Sequence, residues 1–249
     1  MQLGSAAAVR RFGAALLALA AVSSTAFAWS QPALAAFACP PCLGFEEAGP
    51  RLYVEPRMPP EQRRVVRDAN DRGRERVASF YGRLVSEPIV LACASPGCAD
   101  RIGSGGSRGA AYATFGLRLS PSGLDEVIVA HERSHVEAHR RIGILRWAEG
   151  ALPAWFDEGL AVLVSNDRRY LREKNAADRC LREPGENLPS RQREWLDAAS
   201  ARPDVYAEAA CRVVRWVDRH GDRRAVLALL DRVGRGEPFE TAWAEGGSR

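Results

Sequence analysis

Lysine is nearly missing from this chain: of 35 basic residues, only Lys174 is not an arginine. The 31 acidic residues are interspersed among them, leaving a formal charge of +4, and no stripe of alternating aromatic and basic residues occurs. A nucleic-acid surface needs such a stripe, so no nucleic-acid partner is expected, and the arginine and alanine excess reads as coding bias. The glycine-rich Gly103-Ser-Gly-Gly-Ser-Arg-Gly109 lacks the Lys-Ser/Thr ending of a Walker loop and the spacing of a dinucleotide fingerprint. It reads as a flexible loop. Histidine is scarce too: there are four, and His131, His135 and His139 share one short segment.

Arg10 and Arg11 precede an apolar run from Phe12 to Val22, followed by two small-x-small cleavage sites, Ala26-Phe-Ala28 and Ala33-Leu-Ala35. Residues 1–28 therefore read as a signal peptide, with cleavage as late as residue 38. An uncleaved anchor is the alternative, because Phe12 to Ala28 just reaches the lower limit for a membrane span, about 17 residues. Membrane association is expected only in that case. Acylation of Cys39 is disfavoured by Phe37, which stands where small residues are needed. Export to the periplasm or the exterior permits disulfides, and all six cysteines follow the cleavage sites. Cys93 and Cys98 flank a turn, Cys180 and Cys211 would tie a loop to a later helix, and Cys39 and Cys42 remain. Cys39-Pro-Pro-Cys42 has neither the βαβ context of a redox pair nor a second Cys-x-x-Cys with which to hold a structural metal.

The chemistry gathers in Val127-Ile-Val-Ala-His-Glu-Arg-Ser-His135. His131 and His135, four apart on a helix, stand one turn above the other on one face, so their imidazoles can converge on one ion at about 2.0–2.1 Å from each nitrogen. Glu132 lies about 100° round the helix, beside the metal, where a carboxylate can take a proton from water. Leu124, Val127, Ile128, Ala138 and Ile142 recur at helical spacing with the histidines, unlike a solvated face. Ser122-Gly-Leu-Asp125 reads as a capping box, and Gly143 as the C-terminal stop.

A third ligand decides the subclass. Ala138 and Arg141 stand where a metzincin needs glycine and histidine, so that pattern is excluded. His139 is about 12 Å along the helix from His131, too far for three imidazoles to share one ion. Glu158, in Trp155-Phe-Asp-Glu-Gly-Leu-Ala161, is the better candidate: it is embedded in apolar residues, and Gly159 behind it suits close packing of two backbones.

His131-Glu-Arg-Ser-His135 followed by Trp155-Phe-Asp-Glu-Gly-Leu-Ala161 resembles the gluzincins, zinc peptidases of the thermolysin and aminopeptidase N type, and most closely the bacterial peptidase MA-like domains. The resemblance implies one Zn2+ per chain on His131, His135 and Glu158, water in the fourth position, and Glu132 as general base in peptide hydrolysis. Peptides or unfolded proteins are the implied substrates. Two features depart from the pattern. Val162 replaces a carboxylate that orients a ligand histidine, and no Gly-x-Met-Glu-Asn segment binds a free substrate amine. Tyr206 matches a tyrosine-containing segment of the family and is the candidate oxyanion donor, or else packs its ring at a helix start. The alternative function is a catalytically silent zinc-containing binding or scaffolding module of the cell envelope.

Strands are expected at Arg51 to Glu55, Pro88 to Ala94 and Tyr112 to Leu119, the last alternating and serving as the edge rail for a substrate. A helix is expected over Pro60 to Leu84, residues 37–50 read as linker, and from Pro153 the chain is mainly helical. This order predicts one α+β domain over residues 51–249. The resemblance implies a zincin-like form of it, a small sheet and the HExxH helix followed by a mainly helical C-terminal half.

Overall fold

The computed structural model describes residues 32–246, so the expected signal segment 1–28 lies outside the described residues. Five short strands carry the first half: Glu46–Gly49 (β1), Leu52–Val54 (β2), Ile89–Ala92 (β3), Gly109–Tyr112 (β4) and Gly116–Leu119 (β5). They form one mixed sheet in the order β1-β2-β3-β5-β4. The pairs β2–β3 and β3–β5 are parallel, whereas β1 and β4 add antiparallel at the two edges. Helices intervene at Pro32–Ala38 (α1), Pro60–Tyr81 (α2) and Pro96–Arg101 (α3). After the sheet come Glu126–Ile142 (α4), Ile144–Ala148 (α5), Ala154–Ser165 (α6), Gln192–Ala201 (α7), Val205–His220 (α8), Arg223–Gly234 (α9) and Phe239–Glu245 (α10). The fold is α+β, as the order of patterns predicts.

The period-two alternation of the strands explains how the sheet is clothed on both faces. Val90, Ala92, Leu117 and Leu119 turn to α2 and α4, packing on Val66, Ala69, Ile128 and Val129. Leu91 and Cys93 turn the other way, onto Ala36 and Phe37 of α1 and Cys98 of α3. Beyond α4 a separate helical core gathers Phe156, Trp195, Trp216, Leu229 and Leu230, all fully buried. The segment from His131 to His135 thus lies on the helix between the sheet and the helical half.

Three expectations need correction. Residues 37–50 are part of the fold instead of a linker: Phe37 is buried against Gly116, the Cys39–Cys42 disulfide spans a 3-10 turn at Pro40–Leu43, and β1 follows. Pro and Gly punctuate a tight turn there. Residues of α1 and β1 thus pack and pair with the sheet. Second, Tyr112 to Leu119 is a hairpin and not a single strand. Ala113 takes φ 48°, which reverses the chain, so the edge is β4 and β5 lies inside the sheet. Alanine rarely signals such a turn because its Cβ disfavours positive φ; here His139 Nδ1 donates to the Ala113 carbonyl at 3.0 Å and holds it. Third, α4 is capped by Asp125 and not Ser122: Oδ1 of Asp125 accepts from Val127 N at 2.9 Å and Ile128 N at 3.0 Å. Pro121–Gly123 forms its own 3-10 turn and leaves Ser122 outside the helix.

The remaining cysteines join as Cys93–Cys98 and Cys180–Cys211, leaving no free cysteine among the described residues. Three disulfides suit an oxidising, exported environment. No helix among the described residues is long and apolar enough to cross a membrane.

Candidate metal centre

Helix α4 runs from the Asp125 cap to Gly143, whose φ of 89° ends it. From Ile128 to His139 every residue is buried, because one side faces the sheet and the other the helical core. The His131 and His135 rings stand 4.9 Å apart between centroids. Helix α6 brings Glu158 to them. Its approach depends on Gly159, where a Cβ would stand 2.5 Å from the Ala209 carbonyl oxygen of α8. The interior glycine therefore lets two helix backbones touch, as its position beside an apolar glutamate suggests.

Oε2 of Glu158 lies 3.3 Å from His131 Nε2 and 3.6 Å from His135 Nε2. Donor atoms arranged tetrahedrally at about 2.0–2.1 Å from one ion stand about 3.3–3.4 Å apart. Both Glu158–histidine distances lie close to that spacing and the three donor atoms all fall within 4.8 Å of one another, so the set could hold a shared metal ion. Burial favours the neutral form of Glu158, but His135 and His131 outweigh it and hold its carboxyl at about 2. Burial opposes charge on His135 as well, yet Asp157 and Glu158 raise its pKa well above the ordinary value. The pocket thus favours positive charge where the nitrogens point, and a metal ion can replace a proton there.

Around this set the structure adds a carboxylate that the motif did not single out. Asp157 Oδ1 lies 3.1 Å from His135 Nδ1, within ion-pair reach though off-angle for a hydrogen bond. Its Oδ2 accepts from His139 Nε2 at 2.7 Å. Burial is overcome by these two histidines, which hold the Asp157 carboxyl far below the ordinary range. With the Ala113 carbonyl on its other nitrogen, His139 has an oxygen at each end of its ring, and with His135 and Asp157 it forms a second group that could hold a metal ion. His131 Nδ1, by contrast, is buried with no hydrogen-bond partner. Cys180, Glu183 and Cys211 also lie close together, but the two cysteines are disulfide-bonded and are not available as ligands.

Glu132 stands off the ligand set, 7% exposed, with its side chain flat against β4. A Cβ at Gly109 would lie 2.7 Å from Glu132 Cγ and 2.8 Å from Oε1, so only glycine at that strand position makes room for the carboxylate. Burial raises the Glu132 pKa, with Glu158 adding to the effect and His131 and His135 opposing it. A carboxyl held up in this way is a proton acceptor and donor of intermediate strength.

Tyr206, near the start of α8, has its ring centroid 6.5 Å from that of His131. It stacks on Tyr170 at 5.0 Å and meets Trp195 edge-on at 5.1 Å, so the ring packs as well as facing the site. Burial, reinforced by Glu158, pushes its hydroxyl far up, and the group stays a donor. Sequence reasoning passed over Asp157, whose only signal was its place beside Glu158, and Tyr170, which lies in an irregular stretch with no periodicity to place it. Comparison with family models, with curated proteins and with solved structures finds no match to this chain.

Proposed function

We propose that the protein is an exported zinc peptidase of zincin-like fold, acting in the periplasm or outside the cell on extended peptides or unfolded proteins. One observation carries the reading: Glu158 Oε2 stands 3.3 Å and 3.6 Å from two histidine Nε2 atoms, while Glu132, on the next residue of the same helix, stays off the set. Two imidazoles and a carboxylate suit zinc, and three protein ligands leave a position open, the pattern of catalytic and not structural sites. When bound, zinc supplies a Lewis acid that polarises a carbonyl and acidifies water.

The residues of the chain do the rest. Asp157, 3.1 Å from His135 Nδ1, holds that side of the ring by its charge and leaves Nε2 toward the metal position. Glu132 takes the proton of the attacking water and later gives it to the leaving amine, a role its raised pKa suits. Tyr206 donates to the carbonyl oxygen as negative charge develops on it. Strand β4 ends the sheet, so its outer backbone groups can pair with an extended substrate laid along it, beside Glu132 at Gly109. A compact protein cannot offer such a strand.

Zinc content of purified protein and hydrolysis of denatured casein, before and after chelation, test the reading. One zinc per chain, with activity lost on chelation and restored by zinc, is expected. Protein that takes up no zinc, or hydrolysis indifferent to chelation, rejects it.

A further inference from the structure

Many arginines among the described residues meet a carboxylate: Arg63 meets Glu46, Arg74 meets Glu87, and Arg141 meets Glu137. A cavity of about 580 Å3 breaks that pattern. It opens against Leu163 and Val164 of α6, five and six residues beyond Glu158 and so on the opposite side of that helix from the metal centre. Four cations line it: Arg76, Lys174, Arg179 and Arg223. Arg76 is paired with Glu126. The other three have no carboxylate partner among the described residues. Arg223 Nη1 donates to the carbonyls of Ser79 at 2.5 Å and Phe80 at 3.2 Å. Arg179 Nη2 donates to the amide oxygen of Asn166 at 2.6 Å, while its Nε is buried with no partner. Lys174, the only lysine of the chain, makes no hydrogen bond or ion pair among the described residues.

The acids nearby do not cancel this charge. Asp222, on the cavity wall, is bound to Arg224 and caps α9. Asp218 acts on Arg179 through space without an ion pair. Carbonyl partners fix where a guanidinium sits but leave its charge uncompensated, and a buried N–H without an acceptor is a donor still to be satisfied. The rest of the wall is apolar, with Phe80, Leu163 and Val217. The volume lies in the range of small-molecule sites, about 300–1,000 Å3.

We propose that this cavity binds a small organic anion: an oxyanion head group, carboxylate or phosphate, held by Arg179, Lys174 and Arg223, on a short apolar body resting against Phe80, Leu163 and Val217. Arg179 and Arg223 bring guanidinium charge to the cavity wall with no carboxylate partner among the described residues, and Lys174 adds a point charge on a flexible stem. The site is separate from the metal centre and stands whether or not the chain is a peptidase.

Calorimetric titration of the full chain with hexanoate, phenyl phosphate, inorganic phosphate and hexanol tests it. Saturable binding of hexanoate or phenyl phosphate is expected, tighter than inorganic phosphate by about tenfold because of the apolar wall, and hexanol should not bind. Lys174→Gln, at an exposed position with no partner, should weaken the organic anion several-fold without altering the fold, and Lys174→Gln with Arg179→Gln should weaken it by more than about tenfold. Absence of saturable binding up to about 10 mM, hexanol binding as well as hexanoate, inorganic phosphate binding as tightly as phenyl phosphate, or both variants binding like wild type would each overturn the proposal.

Discussion

His135 Nδ1 and Asp157 Oδ1 lie 3.1 Å apart, on the side of the imidazole away from Glu158. Val162, one turn beyond Glu158 on the same helix, is fully buried among Leu171, Ala210 and Val214. The Asp157 charge sits one residue before Glu158, and His139 anchors its second oxygen at 2.7 Å. Removing the charge while keeping the shape should loosen His135. Asp157→Asn is expected to weaken metal binding about 10- to 100-fold, read by competition with a chromogenic chelator on folded protein, and to lower the unfolding midpoint of the metal-free protein because the pairs with His135 and His139 are lost. Wild-type affinity in that variant would show that Asp157 does not support the ligand.

Packing of α6 on α8 makes a second, purely structural prediction. A methyl group at Gly159 would meet the Ala209 carbonyl oxygen at 2.5 Å, and backbone cannot step aside as a flexible side chain can. Gly159→Ala should destabilise the protein by about 1–3 kcal/mol despite alanine's better helix propensity, and should weaken metal retention by shifting Glu158. Urea unfolding read by tryptophan fluorescence gives the first effect. A neutral or stabilised variant would mean that the two helices have room to part.

The Cys180–Cys211 bond ties the irregular stretch between α6 and α7 to α8, with a sequence separation of 31. Non-reducing mass mapping should recover this pair and the Cys93–Cys98 pair from protein taken from an oxidising compartment. Cys180→Ser with Cys211→Ser should cost about 2–4 kcal/mol in unfolding free energy. Free thiols at all four positions would argue against export.

Tyr206 supports a kinetic prediction that rests on the peptidase reading. Tyr206→Phe keeps the ring that stacks on Tyr170 and removes only the donor, so kcat should fall by about 10²- to 10³-fold with KM little changed. A variant with wild-type kcat would leave Tyr206 as a packing residue.

Much of this was legible in the sequence because the signals were periodic or paired. The α4 histidines, Glu158, the Gly143 stop and the Cys180–Cys211 link all follow from residue spacing within one or two elements. The misses share a different cause. Ala113 turns the chain without glycine or asparagine, its positive φ secured by His139 from another element, so no local pattern betrays the hairpin. Phe37 looks like part of a processing segment until its burial against Gly116 is seen. Asp157 and Gly109 acquire their roles only when α6 and β4 close on α4, a tertiary relationship that periodicity does not encode.

The most direct test of the central claim compares wild type with Glu132→Gln, measuring bound zinc and hydrolysis of denatured casein on the same samples. Glu132 lies against Gly109 and outside the ligand set, so the variant should keep its zinc and its fold while turnover falls by about 10²-fold or more. Equal hydrolysis by the two zinc-loaded proteins, or no hydrolysis by either, would contradict the assignment of Glu132 as the base of a zinc peptidase.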